Sequence, residues 1–363
     1  KHDFLHAKVK LAEYNLQDCQ LVLDIFDKTK VLDFLTLRSQ LTGLELNRVG
    51  GSVAAFVNLY LPKLHRAGYI SPNRPIDGGL ASPGGYVMTS APGLYRNVLV
   101  LDFKSLYPSI IRTFKIDPLG LVEGLLQPEK GIQGFKSAIF SRDKHFLPDI
   151  ITSLWQQRDT AKRNNDSARS QAIKILMNSF YGVLGSGGCP FYDTRLASSI
   201  TLRGHEIMQT TARWVEEMGY EVIYGDTDSI FVWLGDNMPA EQGHKVGVEL
   251  QHAINQRWTH NITEQHQLDN YLEIEFETQF NRFLMPTIRG SELGSKKRYA
   301  GLKRIPGSED ELVFKGLESV RSDWTPMAKK FQLTLYQRVF ADKDVKAYIR
   351  QGVAQTRNGE LDG

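Results

Sequence analysis

The chain has 363 residues, 41% of them hydrophobic and 23% charged, which is enough for two or three domains with real cores and ordinary for a globular protein. A formal net charge of +3 neither demands nor forbids a nucleic-acid partner, and no apolar run has membrane-spanning length. Two cysteines, Cys19 and Cys189, and nine scattered histidines argue against a disulfide framework or a cysteine-ligated zinc site and fit a reducing cytoplasm.

Taken in chain order, residues 5–26 carry Leu11, Leu16, Leu21, Val22 and Ile25 at near-helical spacing, which predicts a helix with Tyr14 and Asp18 one turn apart. Residues 72–93 are rich in Pro and Gly and read as loop or linker. Val98-Leu99-Val100-Leu101 is a strand-like run ending in Asp102. Residues 148–165 and 167–184 form two helical patterns around Asn164-Asn165-Asp166-Ser167, where Asp166 or Ser167 can cap the second. This is an antiparallel helical hairpin. Arg158 and Lys162 lie four apart on its first helix, and Lys174, Asn178 and Tyr181 share one face of the second. Two basic clusters on such a hairpin suit a triphosphate; the competing readings are a solvated basic face and, for Tyr181, core packing.

Tyr224-Gly225-Asp226-Thr227-Asp228 sits between Val222-Ile223 and Ile230-Phe231-Val232-Trp233, which reads as a β-hairpin with two carboxylates at its tip. With Asp102 delivered by a separate strand, the result is an oxygen-rich site of the kind hard divalent ions prefer, Mg²⁺ above all. Two Mg²⁺ roughly 4 Å apart support in-line nucleotidyl transfer. An EF-hand loop is excluded, because its sixth and twelfth positions, counted from Asp226, hold Phe231 and Asn237 rather than Gly and Glu. A glycosidase also uses two carboxylates, and spacing in sequence does not separate it from a transferase. Further on, a helix is expected near 240–260, strands at 271–278, 283–288 and 312–315, and a helix beyond Trp324 with Met327, Phe331, Leu335 and Val339 about one turn apart. Arg289, Lys296, Lys297, Arg298, Lys303 and Arg304 face the single acid Glu292 in one stretch, with Tyr299 interleaved. Such a run is a solvated face or a contact for a nucleic-acid backbone.

The neighbours of the carboxylates decide between these chemistries. Asp102-Phe103-Lys104-Ser105-Leu106-Tyr107-Pro108-Ser109-Ile110-Ile111, then Lys174-Ile175-Leu176-Met177-Asn178-Ser179-Phe180-Tyr181-Gly182, then the Asp226-Thr227-Asp228 hairpin, then Lys296-Lys297-Arg298-Tyr299 resemble, in that order, the family B DNA polymerases. The resemblance covers essentially the whole chain. Arg195–Thr201 and Arg282–Gly290 resemble the bacterial polymerase II branch.

The resemblance implies an α+β fold: a polymerase palm, that is an antiparallel sheet with packed helices, with an inserted helical fingers hairpin and remnants of an exonuclease domain and a thumb. Its boundaries fall at 1–30 (end of the exonuclease), 31–93 (linker and N-terminal palm region), 94–144 (palm), 145–186 (fingers), 187–322 (palm) and 323–363 (start of the thumb). It implies DNA-directed DNA polymerisation in replication or repair, with primer-template DNA and dNTPs as partners, two Mg²⁺ as cofactor, a sliding clamp as a partner of the full-length enzyme, and a bacterial, nucleoid-associated cytoplasmic location without a membrane.

By the same resemblance, Asp102 and Asp228 bridge both metals, Asp226 assists, and the Phe103 carbonyl completes the nucleotide-metal shell. Ser105, Leu106, Arg158, Lys162, Lys174 and Asn178 hold the phosphates, and Lys174 protonates the leaving pyrophosphate. Tyr107 excludes a 2′-hydroxyl and Tyr181 lines the nascent pair. Gly182, Thr227, Lys296, Lys297, Arg298 and Tyr299 contact DNA. Tyr14 and Asp18 match the last exonuclease motif, Tyr-x-x-x-Asp. Pro83-Gly84-Gly85-Tyr86 resembles the family's Tyr-x-Gly-Gly linker with Ser82 in place of the Tyr, which weakens any carry-over of that motif's DNA contact. Because the chain starts at Lys1 and stops at Gly363 without an evident end to the fold, the reading is a fragment of a larger enzyme, without proofreading. Two other classes compete. A reverse transcriptase would usually carry Tyr-x-Asp-Asp where this chain has Asp-Thr-Asp, and a non-catalytic DNA-binding descendant would have lost a metal carboxylate.

Overall fold

The computed structural model describes residues 2–48, 50–76, 82–288, 290 and 292–360. Four helices come first: α1 (His2–His6), α2 (Lys8–Thr29), α3 (Val31–Thr42) and α4 (Ser52–Arg66). Strand β1 (Gly93–Phe103), α5 (Leu106–Thr113), α6 (Pro118–Leu126) and the short pair β2 (Ile132–Gln133) and β3 (Ile139–Phe140) follow. Then come α7 (Leu147–Arg163), α8 (Ser167–Leu184) and α9 (Thr194–Glu217). The hairpin β4 (Glu221–Asp226) and β5 (Ser229–Trp233) leads into α10 (Ala240–His266), β6 (Ile274–Met285), β7 (Tyr299–Lys303), β8 (Glu311–Lys315), α11 (Pro326–Phe340) and α12 (Lys346–Arg357). The chain forms two units, one of residues 1–82 and 114–200, the other of 83–113 and 201–363. No described helix is long and apolar enough to cross a membrane.

The first unit is mostly helical. Its α7 and α8 pack antiparallel, as their apolar spacing requires: Ile150, Ile151 and Leu154 on α7 and Ile173, Leu176, Met177 and Phe180 on α8 are all buried. Asp166 caps α8 by accepting the Arg169 N–H at 2.9 Å. Phe56 and Tyr60 of α4 bring their rings to 5.5 Å from Phe180 and 4.8 Å from Phe191. Asp117 is fully buried, and burial raises its pKa, yet it takes four donors: the Tyr60 hydroxyl and the N–H groups of Gly120, Phe146 and Leu147. It thereby caps α6 and steadies the start of α7. In contrast, α2 buries no residue, and the apolar spacing that predicts it leaves Leu16, Val22 and Ile25 in solvent.

The second unit is built on a six-stranded antiparallel sheet in the order β4-β5-β1-β6-β7-β8. Val98 and Val100 of β1 pack with Tyr224, Phe231, Phe280 and Phe283, whereas Leu99 and Leu101, pointing the other way, are also fully buried. Burial on both faces explains why the run is continuous rather than alternating. Helix α10 packs on β6 and β1. Mixed helices and an antiparallel sheet agree with the α+β expectation.

Two local expectations are corrected. The strands expected at 271–278 and 283–288 are one strand, β6, whose mostly polar middle pairs with β1 through Gln279, Phe280 and Arg282. The basic stretch contains strand β7, and its neighbour Arg289 lies outside the described residues. Residues 31–66 hold α3 and α4, which pack on α8 within the first unit.

Candidate active site

In the second unit, strand pairing brings the carboxylates to one end of the sheet. Asp102 is the penultimate residue of β1 and stands opposite Ser229 of β5, which also faces Asp226 of β4. The Ser229 hydroxyl donates to Asp102 Oδ2 at 2.5 Å. The Phe103 N–H donates to the Asp228 carbonyl at 2.9 Å, so the end of β1 is tied to the hairpin tip. Within the tip the Asp228 N–H reaches the Asp226 carbonyl at 2.7 Å, and Thr227 adopts the left-handed region at φ 59°. A non-glycine residue there needs local support. The Thr227 N–H finds it in the Tyr86 carbonyl at 2.7 Å, and the Thr227 hydroxyl donates to Asp226 Oδ1 at 3.0 Å.

Tyr86 belongs to a segment that runs along the outer edge of β4. The Met88 N–H donates to the Gly225 carbonyl and the Ala91 N–H to the Ile223 carbonyl, both at 2.9 Å. The Met88 side chain lies over Gly225, where a Cβ would stand 2.5 Å from its Sδ and would displace it. The Gly and Pro of residues 72–93 point to a loop; residues 86–91 instead close an exposed sheet edge.

Burial and neighbouring acids dominate the electrostatics of Asp102 and Asp228, with Lys297 and Lys315 as nearby cations. Burial raises the pKa of Asp102 to about 6; the Ser229 hydrogen bond opposes this, and the charges of Asp228 and Glu277 reinforce it. Burial also raises Asp228, with Asp226 and Glu277 adding to the effect and Lys315 opposing it. Glu277 stands at a β-bulge, the extra residue of β6 between the partners of Val100 and Leu101. Bulges commonly re-aim a side chain near a site. Asp226 differs from the other two: its Oδ1 also pairs with Lys297 Nζ at 3.0 Å, and Lys297 is held at φ 59° with its N–H on the Tyr224 hydroxyl at 2.8 Å.

Among the described residues no three His, Cys, Asp or Glu side chains form a ready metal cage. The donor set nonetheless suits Mg²⁺, which is usually held by one or two carboxylates together with substrate phosphates rather than by an all-protein cage. Burial and neighbouring carboxylates disfavour the charged forms of Asp102 and Asp228, a cost that a bound cation offsets.

After Phe103 the chain turns sharply. Lys104 pairs with Glu273 at 2.7 Å and with Glu275, anchoring the turn to β6. Ser105 takes φ 46°, and Leu106 opens α5, where Leu106 is buried and Tyr107 half-buried. In the first unit, Lys162, Lys174, Asn178 and Gly182 are exposed, Tyr181 and Arg158 are half-buried, and burial lowers the Arg158 pKa. Of the expected shared face on α8, Lys174 and Asn178 are exposed and Tyr181 is half-buried.

The basic motif divides. Lys296 and Lys297 are exposed. Arg298 pairs with Glu318. Tyr299 is only 9% exposed, and its ring centroid lies 5.1 Å from Phe283 and 5.2 Å from Phe231. Its aromatic body is thus core rather than surface. Tyr14 is 66% exposed and Asp18 is exposed on α2. Ser229 and Glu277 are not anticipated from sequence, while Lys104 and Tyr86 stand inside quoted motifs without a role of their own. Ser229 adjoins Asp228 and so left a local signal, whereas Glu277 depends on pairing across the sheet.

Residues 49–361 match the model of DNA polymerase family B. The chain is 55% identical over 361 residues to DNA polymerase II of Escherichia coli, covering 99% of this chain and 46% of that protein. It is 29% identical over 372 residues to a DNA polymerase of Thermococcus gorgonarius, covering 94% of this chain and 43% of that one. It is also 29% identical over 372 residues to a DNA polymerase of a Desulfurococcus species, again covering 94% of this chain and 43% of that one. The chain thus spans less than half the length of these relatives. With the match running across most of the sequence and the carboxylates gathered at the sheet end, the chain belongs to family B of the DNA polymerases.

Proposed function

We propose that this chain carries the nucleotidyl-transfer centre of a DNA-directed DNA polymerase acting in replication or repair. The observation that carries the reading is the convergence of Asp102, at the end of β1, with Asp228, at the β4–β5 tip, through the Phe103–Asp228 and Ser229–Asp102 hydrogen bonds in a family B chain. On this reading the six-stranded sheet is the palm, α7 and α8 the fingers, and α11 and α12 the start of a thumb.

Asp102 and Asp228 would hold two Mg²⁺, with the Phe103 carbonyl contributing and Asp226 assisting. Bound there, the ions would lower the pKa of the primer 3′-hydroxyl and neutralise charge on the phosphates. The chain's own residues position the reactants. Ser105 and the Leu106 N–H, at the turn into α5, donate to phosphate oxygens. Arg158, Lys162, Lys174 and Asn178 supply charge and hydrogen bonds to the triphosphate, and Lys174 delivers a proton to the leaving pyrophosphate. Tyr107 fills the space a 2′-hydroxyl would need. Tyr181 lines the nascent pair, and Gly182, Thr227, Lys296 and Lys297 approach the DNA. Sequence is read by template pairing, while the protein reads backbone and shape.

The test is primer extension by the chain with dNTPs and then with rNTPs, in wild type and in Tyr107→Val. Template-dependent extension with dNTPs, poor use of rNTPs, and a selectivity that drops by roughly a hundredfold in Tyr107→Val would support the reading. Extension that ignores the template, or wild-type rNTP discrimination in Tyr107→Val, would refute it.

A further inference from the structure

Tyr107 stands between two glycines. A Cβ added at Gly204, on α9, would lie 3.5 Å from Tyr107 Cε1, an ordinary van der Waals contact. One added at Gly85 would lie 3.2 Å from the Tyr107 hydroxyl oxygen and 2.7 Å from Thr227 Oγ1. At Gly84, one residue earlier, a Cβ would meet nothing within 4 Å. The crowding is therefore specific to position 85.

The backbone on either side of Gly85 and the Thr227 side chain have little freedom to give way. Its own segment is pinned on both sides: the Tyr86 carbonyl takes the Thr227 N–H at 2.7 Å, and His205 Nε2 donates to the Gly84 carbonyl at 2.8 Å. The rings of Tyr86 and His205 lie 5.2 Å apart. The Thr227 side chain is tied to Asp226 Oδ1 at 3.0 Å, the same oxygen that pairs with Lys297. A methyl group at 85 meets Thr227 first, 2.7 Å from Oγ1 and 3.0 Å from Cγ2, and then the Tyr107 hydroxyl oxygen at 3.2 Å; with Thr227 tied to Asp226, part of the adjustment falls on the hydroxyl end of Tyr107.

We propose that Gly85 is a specificity-determining residue for the nucleotide sugar: its bare Cα sets how deeply the Tyr107 ring stands in the space facing C2′. The inference deepens the reading of Tyr107 as the sugar gate and rests on it. It assigns this role to a residue of the linker segment, outside the carboxylate site and outside α5.

Gly85→Ala, Gly84→Ala, Tyr107→Phe, Tyr107→Val and the double variant Gly85→Ala/Tyr107→Phe test it. The readout is the ratio of dNTP to rNTP incorporation in single-turnover primer extension, in which a general loss of rate cancels. Gly85→Ala is expected to lower the ratio about tenfold and Gly84→Ala to leave it unchanged. Tyr107→Phe keeps the ring and removes the crowded hydroxyl oxygen, so the double variant is expected to regain the ratio of Tyr107→Phe alone. A second readout does not need turnover: in protein labelled with 3-fluorotyrosine, the ¹⁹F resonance that disappears in Tyr107→Phe should move in Gly85→Ala and stay in place in Gly84→Ala. An unmoved resonance, an unchanged ratio in Gly85→Ala, or a loss that persists in the double variant overturns the inference, the last because the methyl would then act through Thr227. If Tyr107→Val itself keeps full selectivity, the gate reading fails and this inference falls with it. A gate that responds to Tyr107→Val but not to Gly85→Ala leaves the gate standing and removes Gly85 alone.

Discussion

Asp102 and Asp228 pay the cost of like charges held close in a half-buried place, where burial raises both pKa values and Glu277 adds to the effect. Such a site is stable only when something positive enters it. Asp228→Asn is expected to cut single-turnover extension at least a hundredfold while leaving the thermal unfolding of the metal-free chain intact or improved, because it removes a charge the fold does not need. Asp102→Asn should do the same. Retention of a tenth of wild-type rate in either variant would mean that the metals sit elsewhere. Asp226 is a different residue in kind. Its Oδ1 already accepts from Thr227 and pairs with Lys297, so its nearer role is to shape the tip. The resemblance already gives Asp226 only an assisting role; the bonds to Thr227 and Lys297 are what the motif does not show.

At the scale of single elements, α8 and β7 show how local and non-local causes divide. The start of α8 follows from the Asp166 cap and can be placed from sequence, because the cap bond spans three residues. Asp166→Ala should destabilise the first unit by about 1 kcal/mol, seen as a lower urea midpoint with an unchanged slope. Strand β7 follows from a different cause. Tyr299, Ala300 and Gly301 are buried between β6 and β8, and a Cβ at Gly301 would stand 2.5 Å from Phe280. The flanking Lys296, Lys297 and Lys303 mask this in composition. Tyr299→Ala should cost about 3 kcal/mol, since it removes a ring packed on Phe231, Phe280 and Phe283. A loss below about 1 kcal/mol, measured by the same urea titration, would return Tyr299 to the surface role its motif suggests.

For the molecule as a whole, the raised carboxylates link stability to pH and to metal. Asp102 titrates near 6 in the fold against 3.8 for an unperturbed aspartate. The sign follows from linkage: a carboxyl raised on folding favours the folded state below its unfolded pKa, and that contribution is lost as pH rises through the folded pKa. The metal-free chain should therefore lose this contribution between about pH 4 and pH 6, and Asp102→Asn should flatten that part of the profile. Mg²⁺ competes with the proton, so a saturating concentration should raise Tm more at about pH 8 than at about pH 5.5. Thermal scans of wild type and Asp102→Asn with and without Mg²⁺ check both signs. An Mg²⁺-induced rise in Tm that is independent of pH, or that survives in Asp102→Asn, would count against Asp102 as a ligand.

By itself the sequence determined what depends on neighbours along the chain: the β4–β5 hairpin, the α7–α8 pair with its cap, the exposed face of Lys174 and Asn178, and the residue types of the carboxylate motif. Each rests on contacts a few residues apart, which propensity and spacing report directly. Tertiary structure decided the rest. Ser229 and Asp102 meet across 127 positions and Tyr224 and Lys297 across 73, so no local pattern marks them as partners. The bulge that carries Glu277, the seating of residues 86–91 on the edge of β4 and the burial of Tyr299 all arise from strand pairing of this long-range kind. So does the crowding around Gly85, which in sequence is one glycine of a flexible-looking stretch and in the fold faces both the hairpin tip and Tyr107.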